Sequence, residues 1–332
     1  MNQAAIAPEM PNIGALSTLA ANLLARLEQA VVTDSKALEI AVVSLLSGGH
    51  LLIEDVPGVG KTTLARALAK ATGSAIRRVQ MTPDLLPADL TGVNVLNTAD
   101  NSVTFRPGPI FANIVIADEI NRASARTQSA LLEAMQEQQV TIDGKTYRLP
   151  EPFMVIATAN PIELVGTFAL PEAQRDRFTA RVTLGYPSKA HELDVLNDNE
   201  PRSAYQQETA LSPVTSPQGI TLAVNQITDV YCASSIKEYI IDLTRASREH
   251  PALALGASPR ASIQLLRATK ALAVLRQRDH VLPDDVQELA GPVLSHRLML
   301  SGKAKAGGVT ADEVVAQLLT DTPLPHRASN LA

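Results

Sequence analysis

Residues 54–63 read Glu-Asp-Val-Pro-Gly-Val-Gly-Lys-Thr-Thr, a grouping of glycines, one amine and two hydroxyls that suits the gripping of phosphate. Gly58 and Gly60 let backbone N–H groups turn inward around phosphate oxygens, with Pro57 and Val59 completing the turn. Lys61 is placed to reach the β and γ phosphates of a nucleoside triphosphate, and Thr62 to offer its hydroxyl to Mg²⁺, with Thr63 beside it. A helix starting at this point adds the positive end of its dipole. The spacing Gly-x-x-x-x-Gly-Lys-Ser/Thr is met except at its first position, which holds Asp55. Asp tolerates positive φ better than most residues, so the loop is still expected to form. A glycine-proline turn that happens to precede a lysine is the bland alternative.

Two further segments carry polar tips on apolar runs. Ile114 to Ala117 ends in Asp118-Glu119, and Phe153 to Ala157 ends in Thr158-Ala159-Asn160-Pro161. If both runs are strands, they deliver these residues to the edge of the sheet where ligands bind in open α/β folds. Alternating side-chain directions then give the acids different tasks: Asp118 holds Mg²⁺, through water, and Glu119 orients and deprotonates an attacking water. The Asn160 amide can position that water without changing charge. Taken singly, an Asp-Glu pair is a solvated turn and Asn before Pro a turn former; the phosphate loop upstream makes the set worth more than its members.

The elements that must position these residues are legible in the hydrophobic pattern. Leu16, Leu19, Leu23 and Leu27 form one helical stripe; Leu38, Ala41, Val42 and Leu45 form another, stopping at Gly48-Gly49. His50 to Ile53 enter the loop as a buried strand, and Leu64, Ala67, Leu68 and Ala71 follow at helical spacing with Gly73 as a cap. Buried strands are expected at Ile76 to Met81, Ile114 to Ala117, Phe153 to Ala157 and Arg181 to Leu184. Their alternation with helices argues for an α/β fold with a parallel sheet covered on both faces. The stretch from Pro201 to Gly219, rich in Pro, Ser, Thr and Gln, reads as a linker. This divides the chain into an α/β core over 1–200, a linker over 201–219 and a small all-helical domain over 220–332 with a loose tail. In the last, Leu265, Ala268, Leu272 and Leu275 share a face and Pro283 with Asp284 and Asp285 opens a helix.

The 332 residues are 45% hydrophobic, enough for real cores, yet only 3% aromatic with no Trp, which disfavours base-stacking platforms. A net charge of −5 without a long basic run makes nucleic acid an unlikely partner for the chain as a whole. The single cysteine, Cys232, excludes an intramolecular disulfide and reads as a small buried hydrophobe in a helix. The first residues lack the pattern of a secretory signal, and no apolar run is long enough for a membrane span. A cytoplasmic location is expected.

The order of segments resembles the AAA+ ATPases, and within them the MoxR family, from about residue 30 to 300. The most specific strings are Met81 to Pro87, Gly108 to Asn113, Ala117 to Ala123, Gln128 to Glu137 and Leu170 to Gln174. Asp55 departs from the family pattern, as does Thr33-Asp34 where the family tends to carry Gly-Gln near the adenine. The resemblance implies an AAA+ P-loop core with a small helical lid, ATP and Mg²⁺ as ligands, and assembly into a ring, expected as a hexamer. It implies a chaperone-like or maturation role with a protein client and a partner bearing a von Willebrand factor A domain. By position, Asn160 matches the sensor-1 residue and Arg260 in Ser258-Pro259-Arg260-Ala261 matches sensor 2 on the lid. Ser258 can cap and Pro259 can open a helix there, holding Arg260 in the first turn, from which it could reach across to the γ phosphate. Arg177 in Asp176-Arg177-Phe178 matches the arginine finger that reaches a neighbouring subunit's nucleotide, with Arg175 close enough to compete for the role.

Two inserted hairpins are also expected, Val93 and Val95 facing Val103 and Phe105, and Val140 and Ile142 facing Tyr147 and Leu149 across Asp143-Gly144. A nucleotide-gated scaffold with little turnover remains an alternative, supported by Asp55 alone. A motor on DNA is disfavoured by the mixed charge of the hairpins.

Overall fold

In the computed structural model, which describes residues 12–56, 58–99, 101–160, 170–186 and 212–325, the apolar runs pair as one five-stranded parallel sheet. It is built from β1 (Leu51–Glu54), β2 (Ile76–Gln80), β5 (Ile114–Asp118), β8 (Met154–Ala159) and β9 (Ala180–Val182), in the order β2-β5-β8-β1-β9. Side chains alternate cleanly between two cores, as a strand's period of two requires. Leu51, Ile53, Ile114, Ile116, Met154 and Ile156 enter one, and Leu52, Val115, Ala117, Val155 and Ala157 the other. Both faces are therefore covered, which is why β5 and β8 are apolar up to Ala117 and Ala157. β2 departs from the expectation of a buried strand: at the sheet's edge only Val79 is buried, while Arg77, Arg78 and Gln80 are exposed.

The first core is closed by α1 (Ile13–Ala30), α2 (Ser35–Leu46) and α3 (Lys61–Ala71). α1 and α2 start at the side-chain caps Asn12 and Asp34, and α3 ends at Thr72 with Gly73 in the left-handed region. The second core lies under α5 (Ala125–Glu137), capped by Ser124. His50 ties the layers together, one ring nitrogen meeting the Met135 carbonyl at 3.1 Å and the other accepting the Val155 amide at 3.0 Å. Complete burial lowers its pKa to about 4, so it is a neutral structural group.

Two hairpins leave the sheet: β3 (Gly92–Asn97) with β4 (Ser102–Pro107), reached through the short helix α4 (Pro87–Thr91), and β6 (Gln139–Ile142) with β7 (Lys145–Arg148). The second follows expectation in part: Val140 lies opposite Tyr147 and Asp143-Gly144 are both at positive φ in the turn, but Ile142 lies opposite Lys145 and Leu149 follows the end of β7. The first does not: Val93 lies opposite Arg106 and Val95 opposite Thr104, while Phe105 lies opposite Asn94. Its register is one residue away from the apolar pairing, which puts Val93 and Val95 on the face opposite to Val103 and Phe105. Phe105 is drawn instead onto the second hairpin, stacking on Tyr147 with ring centroids 4.1 Å apart, and Asn94 donates to Asp143 at 2.6 Å.

After β9 and the four-residue helix α6 (Glu172–Arg175) that precedes it, the described chain resumes as helices. These are α7 (Pro217–Ile227), α8 (Ser234–Glu249), α9 (Pro259–Leu275), α10 (Pro283–Leu294), α11 (Gly302–Ala306) and α12 (Ala311–Asp321), with β10 (Leu253–Leu255) and β11 (Met299–Leu300) as a minor ribbon. α7 opens at Pro217, inside the stretch read as a linker, of which 201–211 lie outside the described residues, as does the expected loose tail beyond 325. Cys232 is buried but precedes α8 in extended chain, where Tyr231 bridges His280, so it is not helical as expected; burial raises its thiol pKa. α9 packs on both α1 and α2, and Ser17 donates to the Val274 carbonyl at 2.8 Å. No helix among the described residues is long and apolar enough to cross a membrane.

Candidate functional site

β1 runs into the phosphate loop and α3 leaves it. Gly58 and Gly60 stand at φ of 89° and 90°, the left-handed region that side chains resist, and a Cβ at either would meet nothing within 4 Å. The glycines are therefore required by backbone conformation, and space is open around them. Unlike α1, α2 and α5, α3 has no side-chain cap on its first turn, so its leading N–H groups are left for an anion. Val59 is buried and anchors the loop in the core. Pro57 lies outside the described residues.

A cavity of about 350 Å³ opens over the loop, lined by Gly58, Gly60, Lys61, Thr62, Thr63, Arg78, Gln80, Asp118, Glu119, Thr158 and Asn160. The structure thus brings together the loop, both acids and Asn160, as the spacing predicts. Lys61 Nζ donates to the Asp55 carbonyl at 2.5 Å; burial lowers its pKa, opposed by Asp55, Asp118 and Glu119. Asp118 is buried, accepting from Thr158 Oγ1 at 3.1 Å and from Arg78 Nε at 2.5 Å. Glu119 sits at φ 55°, strained for a non-glycine residue, and this turn keeps two consecutive acids on one cavity. Its amide donates to Thr158 Oγ1, and its carboxylate accepts from Gln80 at 2.8 Å and Arg122 at 3.0 Å.

An Mg²⁺ ion fits the donor chemistry, since the Thr62 hydroxyl and the Asp118 carboxylate are hard oxygen donors on this same cavity. Among the described residues no group of three or more His, Cys, Asp or Glu could hold a metal unaided, so a bound ion would need further ligands, such as phosphate oxygens and water.

Arg260 and Arg177 lie elsewhere. Ser258 caps α9 and Pro259 opens it, as expected, yet Arg260 does not line the phosphate cavity. With Arg177 it lines a second, polar cavity of about 260 Å³, together with His50, Gln136, Gln264 and Arg267. Gln136 Oε1 accepts from Arg177 at 3.3 Å and from Arg260 at 3.4 Å. Arg260 therefore stands apart from the phosphate cavity of its own chain. The physical reason is that α9 docks on α1, α2 and the turn bearing Arg177, which points its first turn at that second cavity. Burial and the neighbouring Arg260 charge lower the pKa of Arg177. Arg175 instead pairs with Glu172 of its own short helix at 3.7 Å.

Comparison with known proteins agrees with this geometry. Residues 50–180 match the ATPase family associated with various cellular activities (AAA), and residues 245–318 the AAA lid domain. The chain is 48% identical to the uncharacterized protein YeaC of Bacillus subtilis, over 87% of this chain and 90% of that one. It is 38% identical to Chaperone MoxR1 of Mycobacterium tuberculosis, over 89% and 80%. This chain belongs to the MoxR family of AAA+ ATPases. A crystal structure of a candidate ATPase from Cytophaga hutchinsonii superposes on this MoxR chain with a TM-score of 0.87 at 36% identity, covering 95% of this chain and 97% of that one.

Several residues of the MoxR site escaped sequence reasoning. Arg78, Gln80, Arg122 and Gln136 engage the acids and arginines, but only the polar alternation of Arg78 and Gln80 in an otherwise strand-like run hinted at them. Asp55 also acts differently from expectation. It does not take a positive φ; its carboxylate accepts the amides of Val56 at 2.8 Å and of Leu184 and Gly185 at 2.7 Å each. These bonds end β9 at Val182 and fasten it to the loop. Asp55→Gly, which restores the usual loop residue, is expected to cost about 1–3 kcal/mol in denaturant unfolding, because the buried Leu184 amide loses its acceptor. An unchanged midpoint would show that the staple contributes nothing.

Proposed function

We propose that this protein is a Mg²⁺-dependent ATPase that works as a ring, a hexamer by family resemblance, with each nucleotide held between neighbouring subunits. The observation that carries the reading is the division of the machinery. Lys61, Thr62, Asp118, Glu119 and Asn160 line one cavity, whereas Arg177 and Arg260 line another, so a second copy of the chain would complete each site.

In this reading the loop amides and Lys61 grip the phosphates, while Thr62 and Asp118 hold Mg²⁺. The ion neutralises charge on the phosphate oxygens. Glu119 takes a proton from a water positioned by Asn160; the water oxygen bonds to the γ phosphorus, and the bond to the β–γ bridging oxygen breaks, leaving ADP and phosphate. Arg177 and Arg260 from the neighbour offset the negative charge shared over the transferring group. Gln80 and Arg122 both donate to Oε2 of Glu119, so neither bond occupies Oε1, the oxygen left to take the proton.

Against the scaffold alternative, both loop glycines keep a positive φ although Asp55 stands at the loop's first position. Chaperone-like remodelling of a protein client accords with the name of the mycobacterial relative, and a von Willebrand factor A domain partner with the family resemblance. A cytoplasmic setting accords with the one buried, free thiol. The division into core, linker at 201–219 and lid belongs to the same reading, with the lid moving as nucleotide turns over.

The test is ATP hydrolysis per protomer measured across protein concentrations, with Glu119→Gln as the blank. A rate that climbs and then saturates is expected. A rate independent of concentration down to where the protein is monomeric would exclude the shared site, and tight ATP binding with no turnover at any concentration would restore the scaffold.

A further inference from the structure

The turn that carries Arg177 is held less by the sheet than by the helical region. Arg297, in the 3₁₀ turn Ser295–Arg297 that follows α10, is almost wholly buried, its side chain 1% exposed. Its Nε donates to Asp176 Oδ1 at 2.9 Å. Its two terminal nitrogens reach the carbonyls of Asp176, Phe178 and Thr179, that of Val293, and Gln264 Oε1 at 2.5 Å. His296 meets the Phe178 carbonyl again at 3.1 Å. The other oxygen of Asp176 accepts from Ser258 Oγ at 2.9 Å.

These bonds have a particular geography. Asp176 immediately precedes Arg177, Ser258 is the cap of α9 two residues before Arg260, and Gln264 lies one turn beyond Arg260. The buried guanidinium and its partner Asp176 together therefore join the segments on both sides of the two arginines that share Gln136. Two cations side by side repel each other and gain nothing from proximity within one subunit. Burial lowers the pKa of Arg297 to about 10, with Asp176 opposing the shift, so it stays charged at neutral pH. Burying a third charge beside the other two is a cost that packing alone would not select.

We propose that Asp176 and Arg297 are positioning residues, whose buried ion pair welds the turn bearing Arg177 to the lid helix bearing Arg260, so that both arginines meet one polyphosphate anion as a single rigid claw. Any movement of the lid then carries Arg177 with it. This rests on the reading that both arginines act on the nucleotide of a neighbouring copy, and it adds to that reading a specific device coupling lid position to the finger.

The experiment mixes subunits. Lys61→Ala subunits cannot use ATP but can lend arginines, and Arg177→Ala subunits can use ATP but lend no finger; the mixture is expected to hydrolyse ATP where neither does alone. Asp176→Asn is then added to one member or the other. Placed on the arginine-lending subunit it is expected to lower turnover about 10–100-fold, the scale of a misplacement of about 1 Å, and placed on the ATP-using subunit to leave turnover within about twofold. Equal losses in both placements would mean a merely structural pair and overturn the proposal. Arg297→Lys, which keeps the charge opposite Asp176 but not the fork, is expected to show the same asymmetry with unchanged affinity for a fluorescent ATP analogue. If Asp176→Asn subunits do not fold, the Arg297→Lys mixtures decide by the same criterion. A silent mixture of the two parent variants would instead remove the shared-site reading itself.

Discussion

Glu119→Gln is expected to lower ATP turnover by about 10²–10⁴-fold, the usual worth of a positioned general base, while leaving nucleotide affinity intact. The substitution is nearly isosteric, and the amide oxygen of Gln can still accept from Gln80 and Arg122, so the cavity should keep its shape. What is lost is the ability to take a proton from the attacking water. Lys61→Ala provides the contrast: it removes the ammonium that points into the same cavity from the loop, and affinity should fall by at least about tenfold. Equilibrium binding of a fluorescent ATP analogue and steady-state phosphate release, measured on both variants, separate the two effects. Unchanged turnover in Glu119→Gln would sink the assignment of the base.

Arg177→Ala should lower turnover by about 10³–10⁵-fold, as for arginines that stabilise charge on a transferring phosphoryl group. Its cost to the fold should be small, because within its own subunit the Arg177 side chain donates to Gln136 on a cavity wall, at 3.3 Å. Arg177→Lys is expected to recover little, since an ammonium cannot reproduce a planar fork on phosphate oxygens. Arg175→Ala serves as the control, as Arg175 pairs with Glu172 and does not line the cavity shared by Arg177 and Arg260. Phosphate-release assays above the assembly concentration, with sedimentation to show that rings persist, make the comparison. A larger loss for Arg175→Ala than for Arg177→Ala would transfer the role.

Much of the fold was legible in the chain. The stripes of Leu16 to Leu27 and Leu38 to Leu45, the apolar runs at Ile114 and Met154, and the starts at Ser258-Pro259 and Pro283 all became elements within a residue or two of expectation. Each depends on short-range pattern: helical or strand periodicity, a cap, or a proline's fixed φ. Misreadings arose where long-range contact overrode pattern. β3 and β4 took another register, so that Phe105 could stack on Tyr147 of the second hairpin. β9 stopped at Val182 because Asp55 claimed the amides that follow.

By itself the sequence determined the phosphate loop, the two acids and the asparagine that converge on one cavity. Each sits at the end of a strand whose apolar run is visible, and parallel pairing puts those ends side by side. Only the tertiary structure decided where Arg260 points, what Asp55 holds and how Arg297 joins Asp176 to Gln264. The reason is separation along the chain: Asp176 and Arg297 are 121 residues apart and Asp55 and Leu184 are 129 apart, and contacts across such spans carry no period or spacing that one sequence can display.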